Sequence, residues 1–241
     1  MNKKAIALSI IAVILSFIGG FLLANSLNRK ELEELRTENA RLQSNRKNAE
    51  EFTLSDEEIR RKIAEAEQNP DNFAFQKNLG IALYRYAGMK QDASFLPDVV
   101  KLLRRAAQLR PNDEETQVAL GNAHLDLGQI NKDKEAYKTA RDFYAKALSL
   151  NPGNADVQND LGLTYFLSDP PEYDRAIAEF QKALKIKTDH EKALENLVRV
   201  YLAQGKTKEA EEHLKRLKTV NPQNDFLTEF EAQLAQGKTN Q

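Results

Sequence analysis

Three hydrophobic rhythms follow one another along the chain. The first is a continuous apolar run, AIALSIIAVILSFIGGFLLA at 5–24, inside a stretch with no charge between Lys4 and Arg29. Twenty helical residues at 1.5 Å each span about 30 Å, the hydrocarbon thickness of a bilayer, so the run predicts a membrane-spanning helix. The second, NRKELEELRTENARLQSNRKNAE at 28–50, places apolar residues at heptad spacing. The third starts near residue 53 and alternates paired amphipathic helices to the C-terminus. Its Leu-Gly pairs, Leu79-Gly80, Leu120-Gly121 and Leu161-Gly162, recur every 41 residues, and Pro111 and Pro152 share that spacing.

The apolar run is longer than the core of a cleaved leader, and Ala24-Asn25-Ser26 is a poor cleavage site. An uncleaved anchor is therefore expected over a signal peptide. Lys3, Lys4 and the amino group precede the span, while Arg29 and Lys30 follow it among acidic residues. A short basic tail ahead of a first span stays in the cytoplasm, which puts the remainder outside it. Within the span, Ala12, Ser16, Gly20 and Ala24 form a small-residue stripe suited to close helix packing. In the heptads, Leu32 and Asn39 take position a, and Leu35 and Leu42 take d. One Asn at a among leucines at d favours a parallel two-stranded coil, so a homodimeric stalk is expected in preference to a monomeric spacer.

The third rhythm divides into units. Ser55 with Glu58 forms a capping box ahead of a leading helix at 53–70. Repeat units follow at 72–111, 113–152, 154–188 and 191–224, and DFLTEFEAQLAQG closes the array with a capping helix at 225–237. The junctions LRPNDEETQVALG (109–121) and LNPGNADVQNDLG (150–162) are hinges between stacked units. Leu109, Leu150, Ile186 and Val220 are expected to end the second helices on an apolar contact with the next unit. The first two units each carry seven residues more than the fourth, around 88–97 and 128–137. Extra helical turns or long loops would both accommodate them, and Pro97 favours a helix start in the first. In the third unit Asp169-Pro170-Pro171 predicts a lengthened turn.

The last unit, EKALENLVRVYLAQGKTKEAEEHLKRLKTVNPQN, has the 34-residue length and the Leu197, Tyr201, Gly205, Ala210, Leu214 and Pro222 pattern of the tetratricopeptide repeat. The third unit supplies Leu161, Gly162, Tyr165, Ala176, Phe180 and Ala183, with Thr188 in place of the closing proline; the second supplies Leu120, Gly121, Ala140, Tyr144, Ala147 and Pro152. The resemblance implies an all-α, right-handed solenoid of helix pairs with a concave, peptide-binding groove lined by the first helices. Carried over by position, that groove presents Lys77, Ile81, Tyr84 and Arg85, then Val118, Asn122 and Leu125, then Asn159, Leu163 and Phe166, and finally Lys192, Glu195, Arg199 and Leu202. Asn122 and Asn159 are candidates for hydrogen bonds to a bound main chain. In the subgroup that clamps a C-terminal carboxylate, a Lys is followed by Asn; Lys77 matches, but Ile81 stands where Asn is needed.

Composition narrows the chemistry. A net charge of −1 lacks the basic excess of a nucleic-acid binder. The absence of cysteine removes disulfides, thiol catalysis and thiolate metal sites. No glycine loop suits a phosphate. Of three histidines, His124 is expected in the core, His190 at a helix start and His213 in solvent; no ligand pair has metal-site spacing. Neither an enzyme nor a cofactor is expected. The chain therefore resembles a bacterial scaffold, single-pass in the cytoplasmic membrane, whose repeats outside the cytoplasm bind a protein or peptide and assemble a complex. Its anchor, spacer and repeats are also similar to the tetratricopeptide subunits of cytochrome c maturation, and to envelope-organising or protein-export accessory proteins.

Overall fold

The computed structural model describes residues 55–239. Two compact units meet in sequence between Ile59 and Arg60, and the first lies almost wholly outside the described residues. So do the expected tail, the membrane span with its Ala12, Ser16, Gly20 and Ala24 stripe, and the stalk with its Leu32, Leu35, Asn39 and Leu42 seam. Among the described residues, no helix is long and apolar enough to cross a membrane.

The described residues hold ten α-helices, one 3-10 turn and no strand. Helix α1 (Asp56–Gln68) opens on the capping box: Ser55 N donates to Glu58 Oε2 at 2.8 Å, and Glu58 N to Ser55 Oγ at 3.3 Å. Then come α2 (Phe73–Lys90) with α3 (Leu96–Leu109), and α4 (Glu114–Asn131) with α5 (Lys134–Leu150). The third pair is α6 (Ala155–Phe166) with α7 (Tyr173–Ile186), the fourth α8 (Glu191–Ala203) with α9 (Thr207–Val220), and α10 (Leu227–Thr239) closes the stack. Asn72, Asp113, Asn154 and His190 cap the first helix of each pair, each side chain accepting from a backbone N–H in the first turn.

The seven extra residues of the first two units go mainly into helix. The 18-residue α4 is five residues longer than α8, and the 17-residue α5 is three longer than α9. In the first unit α2 also has 18 residues, and a 3-10 turn at Ala93–Phe95 leads into α3, where Pro97 occupies the first turn. Both long helices stop the same way. Gln91 and Lys132 take left-handed conformations, at φ 55° and 52°, and the aspartate after each caps the next element. The third unit instead has a six-residue connection from Leu167 to Glu172, with a cis peptide before Pro170.

Small residues bring the paired helices together. A Cβ on Gly121 would lie 2.4 Å from Tyr144 Cε1, and one on Gly162 2.7 Å from Phe180 Cδ1. Tyr144 and Phe180 are both fully buried, so each ring lies directly on the backbone of the facing helix. Around them one core gathers Leu125, Tyr137, Ala140, Val157 and Leu161, and another Leu194, Leu197, Leu217 and Phe230. A leucine sealed in such a core contributes about 1.5–3 kcal/mol. At the ends of the second helices, Leu109, Ile186 and Val220 are 38–40% exposed and Leu150 is half-buried. They stand at the rim of the stack, because the chain turns away into the junction one residue later.

A polar latch closes every unit instead, joining the start of its first helix to the residue that caps the next helix in the first three units and, in the fourth, to Asn224, which accepts from Phe226 N just ahead of α10. Lys77 Nζ is 3.4 Å from Asp113 Oδ2. Glu114 accepts from Asn151 at 3.0 Å and from Asn154 at 2.9 Å. Asp156 Oδ1 is 3.2 Å from His190 Nε2. Glu191 accepts from Asn221 at 2.6 Å and Asn224 at 2.7 Å, and these hydrogen bonds hold its carboxyl below the usual range. The asparagines of the N-P-x-N junctions are thus the outer halves of these latches.

Candidate binding groove

Helices α4, α6 and α8 present one side to a cavity of about 1030 Å³, bounded at its far end by Phe226 ahead of α10. Six of the expected groove residues line it: Asn159, Leu163, Phe166, Lys192, Glu195 and Arg199. They fall together because i, i+4 and i, i+7 positions on α6 and α8 share a face. Leu163, Phe166, Leu167 and Tyr137 give the groove an apolar shelf.

Polar groups beneath that shelf are tied to one another. Asn159 is buried; its Nδ2 donates to Asp160 Oδ1 at 3.1 Å, and its Oδ1 accepts from Asn196 Nδ2 at 3.0 Å. Both ends of the Asn159 amide are therefore engaged within the protein. Burial raises the Asp160 carboxyl above the ordinary carboxylate range, opposed by the Asn159 hydrogen bond and by Lys192. At the far end the Arg199 guanidinium lies 4.2 Å from the Phe226 ring centre and 5.2 Å from that of Phe230. At those distances the cation is attracted to the faces of both rings, which holds the side chain at this end of the groove. Glu195 accepts from Asn224, and Lys134 meets Asp169 at 3.5 Å on the exposed rim. Among the described residues, Lys132 and Lys192 make no direct ion pair.

The remaining candidates lie elsewhere. Lys77 is held between Asp113 and Glu115, the latter at 2.9 Å, in the first latch. Tyr84 donates to Asp126 at 2.8 Å and lines a second, smaller pocket. Asn122 accepts from the Tyr144 hydroxyl at 2.8 Å, fixing the ring over Gly121. Leu125 is buried in the core around Tyr144, with Val118 packed partly buried against that core, and Leu202 packs partly buried against the core around Phe180. Ile81 is half-buried and Arg85 exposed, and neither reaches the cavity. Position matching missed Asp160, Asn196, Tyr137, Lys132, Lys134 and Phe226, which also line it. Asn196 was within reach, standing four residues from Lys192 on the same face. Phe226 belongs to no repeat and carried no such signal.

The histidines do structural work. His124 is buried and stacked on Phe143, with Arg104 Nη2 at 3.1 Å; burial first, then Arg104, lowers its pKa to about 4. His190 Nδ1 accepts from Ala193 N at 3.1 Å as a helix cap. His213 is half-buried and leans on the Tyr201 ring, rather than standing in solvent as expected. Among the described residues, no three His, Asp or Glu side chains gather as a metal site would require.

Family profiles described as tetratricopeptide repeat match residues 115–154 and 172–238. Human Protein O-mannosyl-transferase TMTC3 is 30% identical over 130 residues, which are 54% of this chain; the chain spans only 13% of that relative's length. Among solved structures, MamA from Desulfovibrio magneticus RS-1 aligns over 70% of this chain and 86% of its own, at 21% identity and a TM-score of 0.56. A tetratricopeptide repeat protein from Parabacteroides merdae aligns over 76% of this chain and 65% of its own, at 20% identity and a TM-score of 0.58. At such identities the likeness is one of fold.

Proposed function

We propose that this chain, which carries tetratricopeptide repeats at 115–154 and 172–238, is a membrane-tethered scaffold that recruits a protein partner through the groove of α4, α6 and α8. The observation that carries the reading is the groove itself. An apolar shelf of Leu163, Phe166 and Tyr137 lies beside Arg199, held over the Phe226 ring, and beside Lys132 and Lys192, which form no direct ion pair among the described residues. Apolar anchors beside cationic donors suit an extended segment, whose side chains fill the shelf while its carbonyls and carboxylates meet the cations. The uncharged run at 5–24 supports attachment to a bacterial cytoplasmic membrane, with the repeats outside the cytoplasm and the 28–50 segment pairing two copies. Apocytochrome tails and partners in envelope assembly or protein export would all use the same groove.

Photo-crosslinking residues placed at Leu163 and Lys192 in native membranes, with exposed Lys146 on α5 as the outside control, test this. Discrete adducts are expected from Leu163 and Lys192, absent at Lys146 and lost with Arg199→Glu. The same adducts from Lys146, or none from the groove, would remove the basis for the reading. Identification of the captured protein decides among the partners, and its compartment decides which side of the membrane the repeats occupy.

A further inference from the structure

The C-terminal turns that lengthen α2 and α4 enclose a second pocket of about 200 Å³, apart from the groove. Its walls are the side chains of Ala87, Leu96 and Ile130, and its polar groups include the Asp92 and Asp126 carboxylates. Ile130 is 55% exposed, and Met89, next in the chain to pocket-lining Gly88, is 68% exposed. Neither carboxylate meets a cation of the described residues. Asp126 accepts from Tyr84, Asp92 accepts from Ser94 N at 2.9 Å, and Lys90 lies over the Tyr86 ring instead. Gly88 leaves the pocket mouth open, with no atom within 4 Å of where its Cβ would stand.

We infer that this pocket receives a lysine or arginine side chain of a protein partner, its aliphatic stem against Leu96 and Ile130 and its cationic head between Asp92 and Asp126. Long basic side chains combine apolar stem with charged tip, and this pocket offers both surfaces. Burial holds the Asp126 carboxyl above the usual carboxylate range, as it would for a charge that lacks its counter-ion. The pocket exists because α2 and α4 run on by more than a turn, which gives the extra residues of units one and two a role. It stands whether or not a peptide occupies the larger groove.

Methyl NMR on the full chain tests this directly. The sequence has two methionines, Met1 and Met89, so carbon-13 methyl labelling gives a reporter one residue along the chain from pocket-lining Gly88, assigned by Met89→Leu. The probes are acetyl-Ala-Leu-Xaa-Leu-Ala-amide peptides with Xaa as Arg, Lys, norleucine or Glu. The Arg and Lys peptides should shift the Met89 methyl saturably, and the norleucine and Glu peptides should not. Asp126→Asn should weaken the Arg peptide about tenfold, the size of one lost charge-assisted contact. Should Asp126→Asn fail to fold by circular dichroism, Asp92→Asn on the exposed turn should show a similar loss. An equal response to norleucine, no response to any peptide, or unchanged affinity in a folded variant overturns the assignment.

Discussion

Gly121→Ala and Gly88→Ala make the same chemical change in two long first helices, yet they should move stability in opposite directions. At Gly121 the new methyl would sit 2.4 Å from Tyr144 Cε1 and 2.6 Å from Cδ1. Carbon–carbon contact requires about 3.5 Å, so ring or helix must yield by about 1 Å. Tyr144 is fully buried and its hydroxyl is bonded to Asn122, which leaves it no free rotation. Overpacking of this kind costs about 1–3 kcal/mol. Alanine regains about 0.5–1 kcal/mol through its better helix propensity. The net expectation is a loss of about 1–2 kcal/mol at Gly121. At Gly88 nothing lies within 4 Å, so only the favourable part remains, a gain of about 0.5 kcal/mol. Urea unfolding followed by circular dichroism reads both as midpoint shifts at constant slope. If Gly121→Ala matches Gly88→Ala in stability, the claim that ring-on-backbone contact holds the helix pair together is wrong.

Other outcomes follow from the site and the latches. Because its folded pKa is depressed, His124 resists protonation that the unfolded chain accepts below about 6.5; stability should fall from pH 6.5 toward 4 by about 2 kcal/mol, and His124→Gln should flatten that slope in urea titrations at several pH values. Asn159→Ala should destabilise by about 1–2 kcal/mol, since it strands the buried Asn196 amide, whereas Lys192→Ala should leave the thermal midpoint nearly unchanged. Glu191→Gln weakens a latch whose carboxylate is favoured in the fold; it should lower the midpoint above pH 5 and matter less as pH falls through the depressed folded pKa. A midpoint difference between wild type and variant that stays the same at every pH would count against the latch.

Much of the architecture can be read from spacing alone. The Leu-Gly pairs 41 residues apart mark the helix crossings because only a missing side chain admits Tyr144 or Phe180. Pro97 marks a helix start for an equally local reason. Site residues are less legible, since a groove residue and a latch residue can occupy the same helical register. Lys77 and Lys192 are both early in first helices, but Lys77 finds Asp113 and Glu115 across the junction and Lys192 forms no such ion pair among the described residues. Asn122 and Asn159 look like free amides in the sequence, and both are committed to neighbours that only the fold brings near. Phe226 enters the groove from beyond the last repeat, where no periodicity reaches.

The latches also bear on how the chain would carry load. Each one clamps the entrance of a unit to its exit, so tension drawn along the backbone meets a polar fastening before it reaches the apolar cores. Fastenings of unequal build yield at unequal force. The two asparagine clasps on Glu114 and on Glu191 share strain over more than one hydrogen bond, whereas the latch of the third unit is a single contact between Asp156 and His190. A solenoid pulled from its two ends would then lengthen in steps, the latch of the third unit giving way before those beside it. Each step would release about 12–14 nm of chain, the extended length of one unit.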